Sequence, residues 1–208
     1  METIFRSIFK TNRRLLLEKD LSKINLDDYQ KVLIVGSGND PYRNLFKENM
    51  EKYIRFDIES YDGKTDIVGD ILNSKLEDES FDCIFAIEVM EHLENPFIFA
   101  SEIKRILTNN GLLVVSVPFI FHLHADPSDF WRPTKMGLLH LFKDFSDIKI
   151  KSQGNRFHSI LDLLSTSFGN NLLFRLIRAV NIPLSFFYSG KSLKDSSGTT
   201  GYLLTAKK

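Results

Sequence analysis

From residue 31 onward the chain alternates two hydrophobic periods. Lys31-Val-Leu-Ile-Val-Gly36 is a nearly continuous apolar run ending in glycine, as in a strand buried on both faces. Asn39-Asp-Pro41 then sets a capping residue ahead of a proline at a first helical turn, which predicts a helix over 42–50. Further strands are predicted over 53–58, 65–70 and 81–88, the last again almost wholly apolar. Asn95-Pro96 caps a helix running to about Leu107, with Phe99, Ile103, Ile106 and Leu107 on one side. Asn109-Asn-Gly111 reads as a turn, and 112–117 as a fifth strand stopped by Pro118.

Strands alternating with helices predict an α/β fold, a mostly parallel sheet with helices on both faces. Segments 146–152 and 201–206 look like a closing antiparallel pair at one edge. Between them, 157–198 reads as a helical insertion, apolar over 157–188 and broken by Asp162, Arg175, Arg178 and Pro183. Residues 1–30 read as an N-terminal helical extension, and 31–208 as one domain.

With 208 residues, 43% hydrophobic and 26% charged, the chain has the size and composition of one globular domain. Its 27 basic and 27 acidic residues cancel, which argues against holding nucleic acid by phosphate neutralisation. The single cysteine, Cys83, excludes an internal disulfide framework. No run approaches the ~18 apolar residues of a spanning helix, and the N-terminus lacks the apolar core of a signal peptide, so a cytoplasmic location is expected. The charge is uneven. Residues 31–142 hold 18 acidic against 11 basic groups, and 143–208 hold 10 basic against 4 acidic. That pattern suits a cationic ligand in the centre and an anionic surface near the end, or is ordinary scatter.

In open parallel sheets, ligands bind beyond the carboxyl ends of the strands. Gly36-Ser37-Gly38 follows the first predicted strand, Asp57-Ile58 closes the second, Asp70-Ile71 the third and Glu88 the fourth. Each is ordinary alone; their convergence on one crevice points to a nucleoside-type site. Gly36-x-Gly38 allows a ligand to approach the backbone. Asp57, 21 residues beyond Gly36, is placed to accept hydrogen bonds from ribose hydroxyls. Asp70 offers a carboxylate to an adenine amino group, and Ile71-Leu72 an apolar wall. A dinucleotide would want a third glycine where Pro41 stands and would set its pyrophosphate beside Asp40, so a nicotinamide-dependent oxidoreductase is the weaker alternative.

Three stretches carry a family resemblance: Lys31-Val-Leu-Ile-Val-Gly-Ser-Gly-Asn-Asp-Pro-Tyr-Arg-Asn-Leu-Phe46, Phe81-Asp-Cys-Ile through Glu88-Val-Met-Glu-His92, and Val117-Pro-Phe through His124-x-Asp-Pro-Ser-Asp-Phe-Trp-Arg-Pro-Thr134. Together they resemble class I S-adenosylmethionine-dependent methyltransferases, within a subgroup associated with glycan and surface-polysaccharide synthesis. The resemblance spans about residues 31–151 plus the last strand. It implies a Rossmann-like seven-stranded fold with S-adenosylmethionine over Gly36, Ser37 and Gly38. It further implies ribose on Asp57 beside Ile58, adenine against Asp70 and Ile71, and Glu88 near the methionine moiety or the transferred methyl. One position departs from the family: an acidic residue is usual two before the first glycine, where this chain has Ile34.

The loop after the fifth strand concentrates His122, His124, Asp126, Asp129, Trp131 and Arg132. A hydroxyl acceptor loses a proton on methylation, and a neutral imidazole can take it. His124 is the first choice of base and His92 the second. Arg132 would orient an anionic acceptor that needs no base. Alternatively, His124, Asp129, Trp131 and Arg132 brace a lid. His122-x-His124 with Asp126, and Glu88, Glu91 and His92, could supply metal ligands, but no strict ligand spacing is present and no metal is expected.

The apolar, basic segment 157–188 fits a substrate cover, a peripheral membrane contact or a helix packed on the sheet. The N-terminal run, with Phe5, Ile8, Phe9, Arg6 and Lys10, suits either of the last two. The expected activity is methyl transfer to an oxygen of a sugar, glycolipid or other small-molecule acceptor, the oxygen and the sugar being implied by the resemblance. A cofactor-binding module without catalysis is the alternative that Ile34 raises.

Overall fold

The computed structural model describes residues 10–39, 42, 52–61, 63–124, 128–166 and 198–208. Residues 43–50 of the predicted helix over 42–50, residues Asp40, Pro41 and Asp126, the first nine residues and 167–197 of the insertion lie outside these.

Seven strands form one sheet in the order β3-β2-β1-β4-β5-β7-β6. They are β1 (Val32–Val35), β2 (Tyr53–Asp57), β3 (Ile67–Val68), β4 (Phe81–Ile87), β5 (Leu107–Pro118), β6 (Ser146–Gln153) and β7 (Gly201–Lys207). The first five run parallel, and β7 lies antiparallel between β5 and β6. The strand order reverses at β1, whose neighbours are β2 and β4, so the crevice beyond its carboxyl end is where a ligand belongs.

Four helices are described: α1 (Asn12–Leu21), α2 (Pro96–Ile106), α3 (Lys135–Leu141) and α4 (Arg156–Thr166). The continuous apolar runs of β1 and β4 arise because both faces of the sheet are covered. Leu33, Val35, Ile84 and Ala86 pack on one face with Phe99, Ala100, Ile103 and Ile106 of α2 and Leu138 of α3. Val32, Cys83, Phe85 and Ile87 pack on the other with Leu17 and Leu21 of α1. Helix α1, read from the sequence as part of an extension, thus supplies one of the two cores. At its N-terminus, buried Asp162 of α4 accepts hydrogen bonds from the backbone N–H groups of Asn12 and Arg13 at 2.8 and 2.9 Å. This satisfies donors that the helix leaves open.

Local chemistry explains the boundaries. The Asn95 side chain accepts the amides of Phe97 and Ile98 at 3.1 Å, with Pro96 in the first turn, so α2 starts where the sequence predicts. Its end differs by one residue. Leu107 is buried and already pairs with Phe81, so β5 begins there and absorbs the predicted turn, Asn110 taking a left-handed φ of 63°. Strand β3 is shorter than expected because only Ile67 and Val68 pair with β2 at this sheet edge. No helix among the described residues is long and apolar enough to cross a membrane.

Candidate active site

The loop leaving β1 turns sharply. Gly36 and Gly38 hold φ values of 65° and 49°, in the left-handed region that favours glycine. At Gly36 a second constraint acts, since a Cβ there would run into Val89 Cγ2; around Gly38 the space is open. Gly36 and Ser37 donate to the Phe56 carbonyl at 2.9 and 3.3 Å, tying the loop to β2. Gly38 N–H donates to Asp57 Oδ2 at 2.7 Å. Asp57 is therefore held at the carboxyl end of β2 with acceptor capacity left on Oδ1. Ile58 beside it is 64% exposed, an apolar face without a cover, while Ile71 is buried. Asp70 caps the short turn Ile71–Asn73 through Oδ1, which accepts Leu72 N–H at 2.8 Å.

Beyond β4, Glu88 takes a φ of 59°, a conformation that costs a non-glycine residue energy and is often found at functional sites. Its carboxylate accepts Ser116 Oγ at 2.5 Å and forms an ion pair with Arg13 of α1. A cavity of about 370 Å³ opens among the 36–39 loop, Tyr42, Ile87, Glu88, His124 and the Thr11–Leu17 face of α1. Its size suits a small molecule. Gly36, Ser37, Gly38, Glu88 and His124 line it directly. Asp57 joins through Gly38, whereas Ile58, Asp70, Ile71, His92 and Arg132 are not in its lining.

The loop after β5 is stitched to the turn Met90–His92. Phe130 N–H donates to the Glu91 carbonyl at 2.7 Å, Trp131 Nε1 to the Leu93 carbonyl at 2.8 Å, and His92 Nδ1 meets the Ser128 carbonyl at 2.5 Å. Arg132 grips both oxygens of Asp129 and also donates to the Trp131 carbonyl at 2.9 Å and the His122 carbonyl at 3.3 Å. Its guanidinium is engaged in bracing this loop, so the geometry favours the bracing role for Arg132 over acceptor orientation. Asp129 Oδ2 also accepts His124 N–H at 3.0 Å.

His92 and His124 meet edge to face, ring centroids 5.2 Å apart, and Nε2 of each lies 3.8 Å from Glu91 Oε1. Glu91 is completely buried, and neither carboxylate oxygen has a hydrogen-bond partner. Burial pushes its pKa up, partly offset by Arg13, His92 and Arg132. Burial also lowers the His124 pKa, as does the neighbouring His92, so this imidazole favours the neutral form. Burial likewise depresses His122. Arg13 is lowered to about 10 by its burial and stays cationic at neutral pH. Burial would raise Asp129, yet the Arg132 guanidinium and the His124 amide hold it below the usual carboxylate range.

Arg13 and Glu91 were not among the residues first singled out for cofactor or catalysis. Arg13 reaches the site from a distant helix, and no spacing could signal that. Glu91 sits beside His92 in the sequence but shows its role only through burial.

The residues present fit S-adenosylmethionine: a glycine turn that a Cβ would obstruct, an oriented carboxylate at the end of β2, and a cavity at the point of strand reversal. Residues 33–115 match the family model of a methyltransferase domain. No curated protein gives a significant match to the sequence. Among solved structures, a SAM-dependent methyltransferase from Archaeoglobus fulgidus is similar over 100% of both chains, at 20% identity and a TM-score of 0.64. One from Thermotoga maritima is similar over 95% of this chain and 91% of its own, at 15% identity and a TM-score of 0.60. Phosphoethanolamine N-methyltransferase 2 of Haemonchus contortus, in complex with S-adenosyl-L-methionine, is similar over 94% of this chain and 52% of its own, at 14% identity and a TM-score of 0.57. Sheet order, glycine turn and the methyltransferase-domain match over residues 33–115 agree on the Rossmann-like methyltransferase fold.

Proposed function

We propose that this domain methylates a hydroxyl oxygen of a sugar, glycolipid or similar small-molecule acceptor. S-adenosylmethionine supplies the methyl group as an electrophilic sulfonium. The 36–38 loop admits the nucleoside close to the backbone, Asp57 accepts from the ribose hydroxyls, and exposed Ile58 and capping Asp70 flank the adenine. Glu88, anchored by Ser116 and Arg13, bounds the methionine end. Helix α1 and the loop after β5 close the cavity and exclude water, which favours an in-line displacement. The acceptor proton leaves through the cluster of Glu91, His92 and His124.

The observation that carries this reading is the position of His124: it lines the same cavity as Gly36 and Glu88, while its Nε2 faces the buried Glu91 carboxylate. An amine acceptor would not need so elaborate an acid–base cluster once its nitrogen is neutral.

The test is transfer of labelled methyl to a panel of mono- and oligosaccharides, glycolipid headgroups and primary amines, with calorimetry of S-adenosylhomocysteine run in parallel. Binding of S-adenosylhomocysteine with transfer to hydroxyl acceptors is expected. Binding accompanied by transfer to amines alone would overturn the oxygen acceptor.

A further inference from the structure

We infer that Glu91, His92 and His124 form a binding site for a first-row divalent cation of the Zn²⁺ type. Their ligand atoms all lie within 4.8 Å of one another. Glu91 Oε1 is 3.8 Å from both imidazole Nε2 atoms. Around one tetrahedral ion at about 2.0–2.2 Å the ligand atoms lie roughly 3.4 Å apart, so each Glu91–imidazole pair must close by a few tenths of an ångström, and the two imidazoles, within 4.8 Å, by up to about 1.4 Å. Two histidines and one carboxylate are a ligand set of catalytic zinc and non-haem iron sites, which keep positions open for substrate.

Three observations beyond proximity support the assignment. The first is the environment of the imidazoles. His92 Nδ1 meets the Ser128 carbonyl at 2.5 Å, an acceptor only, so Nδ1 carries the proton and the neutral ring has its lone pair on Nε2, facing Glu91. His124 Nδ1 stands 3.6 Å from Asp129 Oδ2, so its other nitrogen also faces the cluster. A hydrogen bond like that of His92 Nδ1 orients histidine ligands in metal sites.

The second is charge. The two neighbouring guanidinium groups are each matched, Arg13 by Glu88 and Arg132 by Asp129. The Glu91 carboxylate accepts no hydrogen bond, and the Nε2 atoms of His92 and His124 face its Oε1. A carboxylate removed from water without a partner is costly, and a cation held with two imidazole lone pairs compensates it.

The third is rigidity. The Phe130, Trp131 and His92 bonds fasten the loop carrying His124 to the turn carrying Glu91 and His92, so the three ligands are presented together. His122, also weighed as a ligand on sequence grounds, is not in the cluster.

His124 lines the cavity, so an acceptor hydroxyl can reach the open side of such an ion. Ligation lowers the hydroxyl pKa, as it does for water. The proton then passes to solvent, the new O–CH3 bond forms as the S–CH3 bond breaks, and the electron pair stays on sulfur. With the ion in place His124 acts as a ligand, which replaces the proton transfer through the cluster given above for the ion-free site. This use of the ion rests on the methyl-transfer reading; the binding itself does not.

The experiment takes the full-length protein stripped with a chelator and titrates it with Zn²⁺, and with Co²⁺ as an optical probe. Stoichiometry is read by equilibrium dialysis with elemental analysis, and coordination by the ligand-field absorption of bound Co²⁺. One ion per chain is expected, with affinity falling at least about tenfold in Glu91→Gln, His92→Ala and His124→Ala and staying near wild type in His122→Ala. Glu91→Gln preserves the side-chain shape, and circular dichroism of each variant identifies any that fails to fold. No binding by the wild type, or binding undiminished in every folded ligand variant, would overturn the site. Calorimetry with S-adenosylhomocysteine separates the two readings. Nucleoside binding without the ion sinks the metal site alone, and ion binding without the nucleoside sinks the methyl-transfer reading alone.

Discussion

Around Gly36 the site is shaped by backbone, whereas around His124 it is shaped by charge. The proposed cofactor side consists of a positive-φ turn, two amides bound to the Phe56 carbonyl and one carboxylate held by Gly38. It uses residues that are close in sequence or lie on adjacent strands. The opposite side gathers Arg13 from α1, Glu88, Glu91 and His92 from beyond β4, and His124, Asp129 and Arg132 from the loop after β5. A turn of small residues tolerates little change in shape but carries no net charge to balance. A buried ionic cluster tolerates changes of shape better than the loss of one partner, because the charge left behind has nowhere to go.

The largest expected effect lies on the cofactor side. Asp57→Ala removes the proposed ribose acceptor and frees Gly38 N–H, so S-adenosylhomocysteine affinity should fall by about two orders of magnitude or more, read by calorimetry. Retained affinity would mean that this side does not depend on its one carboxylate. On the other side, His124→Ala should lower turnover about 10²-fold while S-adenosylhomocysteine affinity stays within about twofold. A matching loss of affinity would show that the two sides are not separable.

A smaller effect separates sterics from charge within the turn. Gly36→Ala should destabilise the fold by about 1–3 kcal/mol, through both its φ and the collision with Val89, measured by denaturant unfolding. Gly38→Ala meets open space and should cost less, about 1 kcal/mol. In a Val89→Ala background the gap between the two should narrow, since that substitution removes the colliding methyl groups.

The smallest effect is a reference outside both sides. On α2, Glu102 accepts from Arg105 and from Ser74 Oγ, and these bonds hold its pKa at about 2, below the ordinary 4.5. A depressed carboxylate pKa means that its stabilisation is complete above 4.5 and is lost as pH falls through about 2. Glu102→Gln should therefore lower the unfolding midpoint slightly at pH 7, and the difference from wild type should vanish toward pH 2. A difference that persisted at low pH would assign the effect to packing.

Much of the fold was legible in the chain. Strands β1, β4 and β5 were located from their apolar runs, because a strand covered on both faces leaves almost no polar position. Helix α2 was legible to its first residue, because Asn95 and Pro96 act within one turn of their own position. Its far end was not, since the transition to β5 is decided by the burial of Leu107 against Phe81 across the sheet. The same division holds in the site. The turn at Gly36 and Gly38 and the place of Asp57 at the end of β2 were legible because a turn and a strand end are local features with a fixed spacing. Bracing among Asp129, Trp131 and Arg132 was one of two readings of the loop after β5, whereas the pairing of Arg13 with Glu88 and the meeting of His92 with His124 around Glu91 were not legible.

The sequence by itself determined most of the strands, the helix start and the glycine turn beyond β1, because hydrophobic period, capping and glycine turns act over a few neighbouring residues. Tertiary structure alone decided which charges are buried and what faces them. Burial and the approach of distant segments set the strength of an ionic interaction, and neither is written in the spacing of residues along one chain.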